Sequence, residues 1–256
     1  MDTDCRLNIS GGCATDIGAV RKVNQDAVFF QCLCQQGECF AVGAVCDGIG
    51  GMQAGEEASA LVIEGIGQWY SQVCCWIDIP NADQDVLFSH MKDAAEQWNR
   101  DVLDFCLKRG IKSGTTMSVL MILRNRFYIL HAGDSRIYRY HYYLEQLTAD
   151  DTVVRVHNGK ERVYLSNYLG KSEQLHFTSV CGGLKKGDLF LYCSDGFYHR
   201  LQETDVRGYL NDYRKRLPLE QICRKAVLQM KERGETDNIS AGILIAGALK
   251  SRIGFL

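Results

Sequence analysis

Apolar positions along this chain fall into two rhythms. Three stretches repeat every three or four residues, the spacing that lines one face of a helix. After Gln53 these are Ala58, Leu61, Val62, Ile66 and Trp69, and the second stretch has Leu87, Met91, Ala94, Ala95, Trp98, Val102 and Phe105. The third follows Pro218 with Leu219, Ile222, Cys223, Ala226, Val227 and Met230, and stops at Gly234, a residue suited to a helix end. Around them, runs at 27–33, 39–46, 116–123, 126–131, 136–140, 188–193 and 239–245 are rich in β-branched, aromatic and small apolar residues and predict strands. Several are almost unbroken, as expected of strands covered on both faces. Tight turns such as Leu123-Arg124-Asn125-Arg126-Phe127 predict antiparallel hairpins. The first two helices come as a block, which argues against a doubly wound Rossmann sheet. With two prolines and no Ser/Gly-rich linker, the pattern predicts one domain over residues 1–256, stacked antiparallel sheets with helices outside, an α+β architecture.

Composition narrows the function. The apolar share of 46% allows a sizeable core, and a net charge of -2 without a basic stripe gives no electrostatic footprint for nucleic acid or an anionic membrane. Asp2, Asp4 and Arg6 interrupt the first ten residues, which therefore lack the apolar middle of a secretion signal, and no apolar run approaches the ~20 residues of a membrane helix. Twelve cysteines then read as free thiols in a reducing cytoplasm, with Cys46, Cys106, Cys193 and Cys223 inside apolar stretches. Cys32 with Cys34, and Cys74 with Cys75, read as packing. Without Cys-x-x-Cys or His-Glu-x-x-His, zinc has little support.

The informative feature is a recurrence of acids at the ends of apolar runs. Residues 40–46 end in Asp47-Gly48, residues 127–132 in Gly133-Asp134, and residues 189–194 in Asp195-Gly196, while the run from Ile239 begins just after Asp237-Asn238. A single Asp-Gly is ordinarily a turn, because the side chain bonds local backbone and glycine accepts positive φ. Four such sites on neighbouring strands would converge carboxylates that repel unless protonated or neutralised by a cation. Oxygen-only ligands select Mg²⁺ or Mn²⁺. The loop Gly48-Ile49-Gly50-Gly51-Met52 lacks the spacing of a dinucleotide loop or a P-loop, and its glycines suit close backbone approach to a metal. Arg21, ahead of the strand that starts at Asp26, is either a solvated charge or a two-pronged phosphate clamp.

In order along the chain, Arg21-x-x-Asn24-Gln25-Asp26, Val45-Cys46-Asp47-Gly48-Ile49-Gly50-Gly51, Gly55-Glu56-Glu57-Ala58-Ser59, Ser113-Gly114-Thr115-Thr116, Gly133-Asp134-Ser135-Arg136, Leu147-Thr148-Ala149-Asp150-Asp151, Leu169-Gly170, Ser194-Asp195-Gly196 and Asp237-Asn238 resemble the motif series of the metal-dependent type 2C protein phosphatases in their short bacterial form. The resemblance implies a four-layer α-β-β-α sandwich of two antiparallel sheets. It implies two Mn²⁺ or Mg²⁺ ions with a possible third: Asp47 bridging, Asp195 and Asp237 completing the first site, the Gly48 carbonyl serving the second, Asp26 acting through water, and Asp134 with Asp195 at a third position. Arg21 would hold the substrate phosphate, with Gln25 and Asn238 supporting the ligands from behind. The chemistry implied is hydrolysis of phosphoserine and phosphothreonine on proteins by direct attack of a hydroxide bridging the ions, with no phospho-enzyme. A serine/threonine kinase in the same cytosol would supply the substrate.

Three departures from the family pattern stand out. Gln25 replaces a frequent Glu, which predicts weaker binding at the second ion. Ile49 occupies the place of a histidine proton donor, and the flap segment at about 151–169 is short. His131 and His199 lie near the site and read as packed or hydrogen-bonded residues and not as catalysts, while His90, His141, His157 and His176 have no suggestive neighbours. Two other readings remain: a non-catalytic phosphoprotein-binding module on the same fold, and a scaffold whose Asp-Gly sites are only turns.

Overall fold

Strand β1 spans Leu7–Asp16, β2 Asp26–Gln35 and β3 Glu38–Asp47, followed by helices α1 (Gly55–Trp76) and α2 (Gln84–Arg109). Then come β4 (Met117–Leu123), β5 (Arg126–Ala132), β6 (Arg136–Tyr140), β7 (Leu144–Gln146), β8 (Thr152–His157), β9 (Lys160–Leu165), β10 (Thr178–Gly183) and β11 (Leu189–Cys193). Helices α3 (Asp195–Tyr198), α4 (Glu203–Arg214) and α5 (Leu219–Glu232) precede the last strand, β12 (Ile239–Ala248). This computed structural model describes residues 7–49, 54–157 and 160–248, so the predicted loop glycines Gly50 and Gly51 lie outside the described residues.

The strands build two five-stranded antiparallel sheets, ordered β1-β12-β11-β6-β7 and β10-β5-β4-β3-β2, with β8 and β9 as a separate hairpin. Strand alternation explains the layering. On β4, Met117, Val119, Met121 and Leu123 face the α1–α2 side, where they meet Val62, Ile66, Met91 and Trp98. The intervening Leu120 and Ile122 face the other sheet and pack with Phe190, Tyr192 and Leu244. On the far side, Leu191, Ile243 and Ile245 meet Ile222, Ala226 and Met230 of α5. Every apolar position predicted for the third helix is buried. Each such side chain contributes roughly 1.5–3 kcal/mol on burial, so three cores fix the four layers.

Five strands and two helices carry no readable pattern. Strand β1 is hidden by its polar and glycine-rich sequence, β7 is short, β8 and β9 are solvent-exposed, β10 ends in two glycines, and α3 and α4 show no clear apolar repeat. The expectation that all cysteines are free thiols is corrected at one place. Cys34 and Cys39 are directly opposite across the β2–β3 turn and form a disulfide, with Cys32 Sγ 3.8 Å from Cys34 Sγ. Cys46, Cys106, Cys193 and Cys223 are free and buried, as expected. Among the described residues no helix is long and apolar enough to cross a membrane.

Candidate active site

The register of the β2–β3 hairpin sets the site. Asp26 and Asp47 are Cα partners at its open end, two acids directly opposite where like charges repel. The backbone of Asp47 is pinned from both directions: its N–H donates to Thr116 Oγ1 at 2.9 Å, and its carbonyl accepts from the Thr116 amide at 2.8 Å. Thr116 Oγ1 lies 2.6 Å from Ser135 Oγ, which ties the Asp47 strand to the loop bearing Asp134. Asp26 is buried, and its Oδ2 accepts from Ser194 Oγ at 2.7 Å. Ser194 is in turn joined to Ser240, next to Asp237-Asn238 on the neighbouring strand.

The glycines after Asp47 and Asp195 serve close approach here. A Cβ on Gly48 would stand 2.3 Å from the Gly55 carbonyl oxygen, and one on Gly196 would stand 2.1 Å from that of Asn238. Neither position has the positive φ that the turn reading assumed. Asn238 is a hub: its Oδ1 accepts from the Gln25 amide at 2.9 Å, while its Nδ2 donates to the carbonyls of Ile17 and Val23. Gln25 donates from Nε2 to Glu56 Oε2 at 3.3 Å, and its carbonyl accepts from the Gly48 amide at 2.9 Å.

These residues open onto a cleft of about 1110 Å³ lined by Arg21, Asp47, Gly48, Asp134, Asp195 and Asp237. Burial raises the Asp47 carboxyl well above its ordinary range, and Asp26, Asp195, Asp134 and Asp237 push it further. Burial, then the neighbouring acids, outweighs the Ser194 bond and raises Asp26 to about 6. Asp134 is pushed up to about 7, by burial first and Asp195 next, and Asp195 is raised by burial and Asp237. The counter-charge in contact is Arg21, whose Nη2 stands 2.6 Å from Asp237 Oδ2. Arg136 also lines the cleft, but it is engaged through two bonds with Asp150 and lies over Tyr198, 3.7 Å from the ring centroid.

The donor set suits a hard divalent cation. It is made of oxygens only, burial raises the carboxyls of Asp26, Asp47, Asp134 and Asp195, and Asp26 Oδ1 is buried with no hydrogen-bond partner. Asp47, Asp134, Asp195 and Asp237 thus line one cleft together with Arg21, Gln25 and Asn238, while Asp26 lies buried beside it as the Cα partner of Asp47. The motifs quoted from the sequence contain Ser194, Thr116 and Asp151, but sequence reasoning gave none of them a role. Asp151 joins the Asp134 loop to both roots of the β8–β9 hairpin: its Oδ2 accepts from the Gly133 amide at 3.0 Å and from Asn167 Nδ2 at 2.8 Å, and its carbonyl accepts from the Ser166 amide. The signal was in each case membership of a motif, Ser194-Asp195-Gly196, Ser113-Gly114-Thr115-Thr116 and Leu147-Thr148-Ala149-Asp150-Asp151.

The histidines divide. His131 is buried between Ser118 Oγ and the Ala149 carbonyl, as expected of a packed residue. His199 is exposed on the cleft wall, its ring centroid 5.0 Å from that of Tyr198. His141 does have a partner: its Nδ1 is 2.7 Å from Asp188 Oδ1.

Comparison with known proteins gives the family. The protein phosphatase 2C family model matches residues 19–232. Protein phosphatase PhpP of Streptococcus pneumoniae is 26% identical over 249 residues, spanning 90% of this chain and 94% of that protein. Serine/threonine protein phosphatase PstP of Mycobacterium tuberculosis is 28% identical over 207 residues, 75% of this chain and 37% of that protein. Among solved structures, PppA of Pseudomonas aeruginosa superposes with a TM-score of 0.71 at 25% identity, covering 93% of this chain and 97% of its own. The catalytic domain of PstP in complex with two manganese ions does so with a TM-score of 0.72 at 24% identity, covering 94% and 99%. An ordered set of strand-end acids, a shared two-sheet fold and a family match over most of its length place this chain in the protein phosphatase 2C family of serine/threonine phosphatases.

Proposed function

We propose that this protein hydrolyses phosphoserine and phosphothreonine on protein substrates phosphorylated by a serine/threonine kinase, with Mn²⁺ or Mg²⁺ held in the cleft. Asp47 would bridge two ions, with Asp195 and Asp237 completing the first site and the Gly48 carbonyl serving the second. Asp134 with Asp195 would hold a third. The observation that carries this reading is the Asp26–Asp47 register, with acids raised by burial and an Asp26 oxygen left without a donor.

Bound divalent cations supply Lewis-acid polarisation of the phosphate and water acidified toward neutral pKa. The chain's own residues do the rest. Arg21 binds and orients the phosphate through its guanidinium fork, exchanging its contact with Asp237 for phosphate oxygens. Asp26 offers Oδ1 as an acceptor that orients water, with Ser194 fixing the other oxygen. Thr116 and Ser135 hold the backbones of Asp47 and Asp134 in place. Direct attack by water is supported by the state of the nearby nucleophiles. The Ser194 and Thr116 hydroxyls are engaged, and burial raises the Cys46 and Cys193 thiols.

The test is release of phosphate from a phosphothreonine peptide by the purified protein with Mn²⁺, abolished by chelator and by Asp195→Asn. No release at millimolar Mn²⁺, or full turnover by the variant, would refute the reading. The grouping of Asp47, Asp195 and Asp237 in one cleft favours catalysis over a non-catalytic binding module.

A further inference from the structure

The β8–β9 hairpin carries a pair that sheets ordinarily avoid. Arg155 and Arg162 are direct cross-strand partners, and like charges so placed repel. Among the described residues neither enters an ion pair. The neighbouring acid, Glu161, pairs with Val156 and by strand alternation falls on the opposite face. The face that bears the two arginines also carries Val153 and Tyr164, again direct partners, and the Arg155 guanidinium stands 6.0 Å from the Tyr164 ring centroid. Val153, Arg155 and Tyr164 line the same cleft as Asp47 and Asp195, as does Lys171.

The cleft is therefore polarised, with an anionic floor of carboxylates and a cationic wall on the hairpin. A phosphorylated segment whose phosphate sits on the floor at Arg21 must pass this wall. An anion on that segment that reaches Arg155 at the cleft edge would be drawn to its cross-strand partner Arg162 as well and relieve their repulsion, a gain that a neutral side chain cannot supply. Solvation alone accounts for exposed arginines scattered singly. It does not account for two held opposite each other, unneutralised, with Arg155 lining the cleft and Arg162 beside it on the same hairpin face.

We infer that Arg155 and Arg162 form a second anion subsite, which selects substrates bearing an acidic group within a few residues of the phosphoserine or phosphothreonine. The inference rests on the phosphatase reading above and names the substrate class of the same cleft. The shared chemistry is an oxyanion, either a carboxylate of Asp or Glu or a second phosphate, and Val153 and Tyr164 supply the apolar surface beside it.

The experiment compares phosphothreonine peptides with neutral flanks, with Asp or Glu flanks, and with a neighbouring second phosphothreonine, alongside p-nitrophenyl phosphate. At low salt kcat/KM for the acidic peptides should exceed that of the neutral one by about tenfold, mainly through KM, and the advantage should shrink at high salt. The double variant Arg155→Ala/Arg162→Ala should bring the acidic-to-neutral ratio to near one, its turnover of the neutral peptide reporting that it is folded. Arg155→Lys/Arg162→Lys should keep most of the preference. A second phosphate outranking the carboxylates assigns the subsite to phosphorylated neighbours, and parity assigns it to acidic residues in general. Equal kcat/KM for acidic and neutral peptides in the unmodified protein, or a preference that survives in the alanine variant, would overturn the inference. Failure to hydrolyse even p-nitrophenyl phosphate with Mn²⁺ would instead count against the phosphatase reading. Binding of the same peptides, measured by fluorescence anisotropy, tests the subsite without turnover by the same ratios.

Discussion

Asp26 and Asp205 are almost equally hidden, at 7% and 8% exposure, yet their surroundings treat charge in opposite ways. Arg233 donates to both oxygens of Asp205, at 2.6 and 2.7 Å, and the Gln202 amide and Gln229 add further bonds. Burial alone would raise Asp205, but these donors outweigh it and hold it below the usual range. Asp188, fully buried, is likewise met by Arg139, His141 and the Lys185 amide. Asp26 has one hydroxyl donor and a carboxylate directly across the hairpin, and it is raised to about 6. A fold that gives its structural acids an arginine each, but among the described residues leaves Asp26, Asp47, Asp134 and Asp195 without one and meets only Asp237 with Arg21, points to an external cation at that cluster.

The comparison breaks most sharply by exchanging an acid in each region. Asp195→Asn should lower kcat/KM roughly a thousandfold or more, the equivalent of ~4 kcal/mol of transition-state stabilisation, while leaving the metal-free protein as stable or slightly more so. Asp205→Ala should do the reverse, costing about 3 kcal/mol in denaturant unfolding by stranding Arg233, with activity per folded molecule unchanged. Similar stability losses for both would remove the distinction.

Next in size is the response to pH. Asp26 and Asp134 move from an ordinary 3.8 to about 6 and about 7 in the folded protein. The folded state then holds protons that the unfolded chain releases, so this contribution is fully present below pH 3.8 and is lost as pH rises through about 7. Metal-free protein should melt lower at pH 7.5 than at pH 5. Mn²⁺ at a hundredfold excess over Kd should restore about 2.7 kcal/mol at pH 7.5 and much less at pH 5, where protons compete with the cation. Scanning calorimetry with and without chelator reads both.

How far the sequence revealed this contrast depends on the kind of signal. Strands β3, β4 and β11 were legible because they are buried on both faces and contain almost no polar residue. Strand β1 was not, since pairing with β12 rather than side-chain pattern makes it a strand. Asp47, Asp134, Asp195 and Asp237 showed themselves as acids ending apolar runs. Asp205 carried no signal, because the arginine that neutralises it, Arg233, is 28 residues away in the chain. Gly48 and Gly196 look like turn residues, and only the neighbouring strand ends show that close approach demands them. Asp151 stood inside a quoted motif but its role, like the partner of His141, was hidden because the groups they bind are distant in sequence.

Smaller effects sharpen the picture at the edges of the site. Asp151→Ala should reduce kcat/KM about tenfold by freeing the hairpin roots from the Asp134 loop, a loss of the size seen when groups supporting a ligand are removed. Asp151→Asn should retain most activity, because both side-chain bonds are accepted by one oxygen. Gln25→Glu should change least. It sets a carboxylate against Glu56, so the Mn²⁺ concentration for half-activation should fall a few-fold, while the metal-free protein loses on the order of 0.5 kcal/mol.

The most direct measurement is anomalous scattering from crystals soaked in Mn²⁺. Peaks in contact with Asp47, Asp195 and Asp237, with Asp26 oriented toward them, are the predicted result. A cleft without an anomalous peak at saturating Mn²⁺, its carboxylates satisfied by protons or by protein cations, would contradict the account.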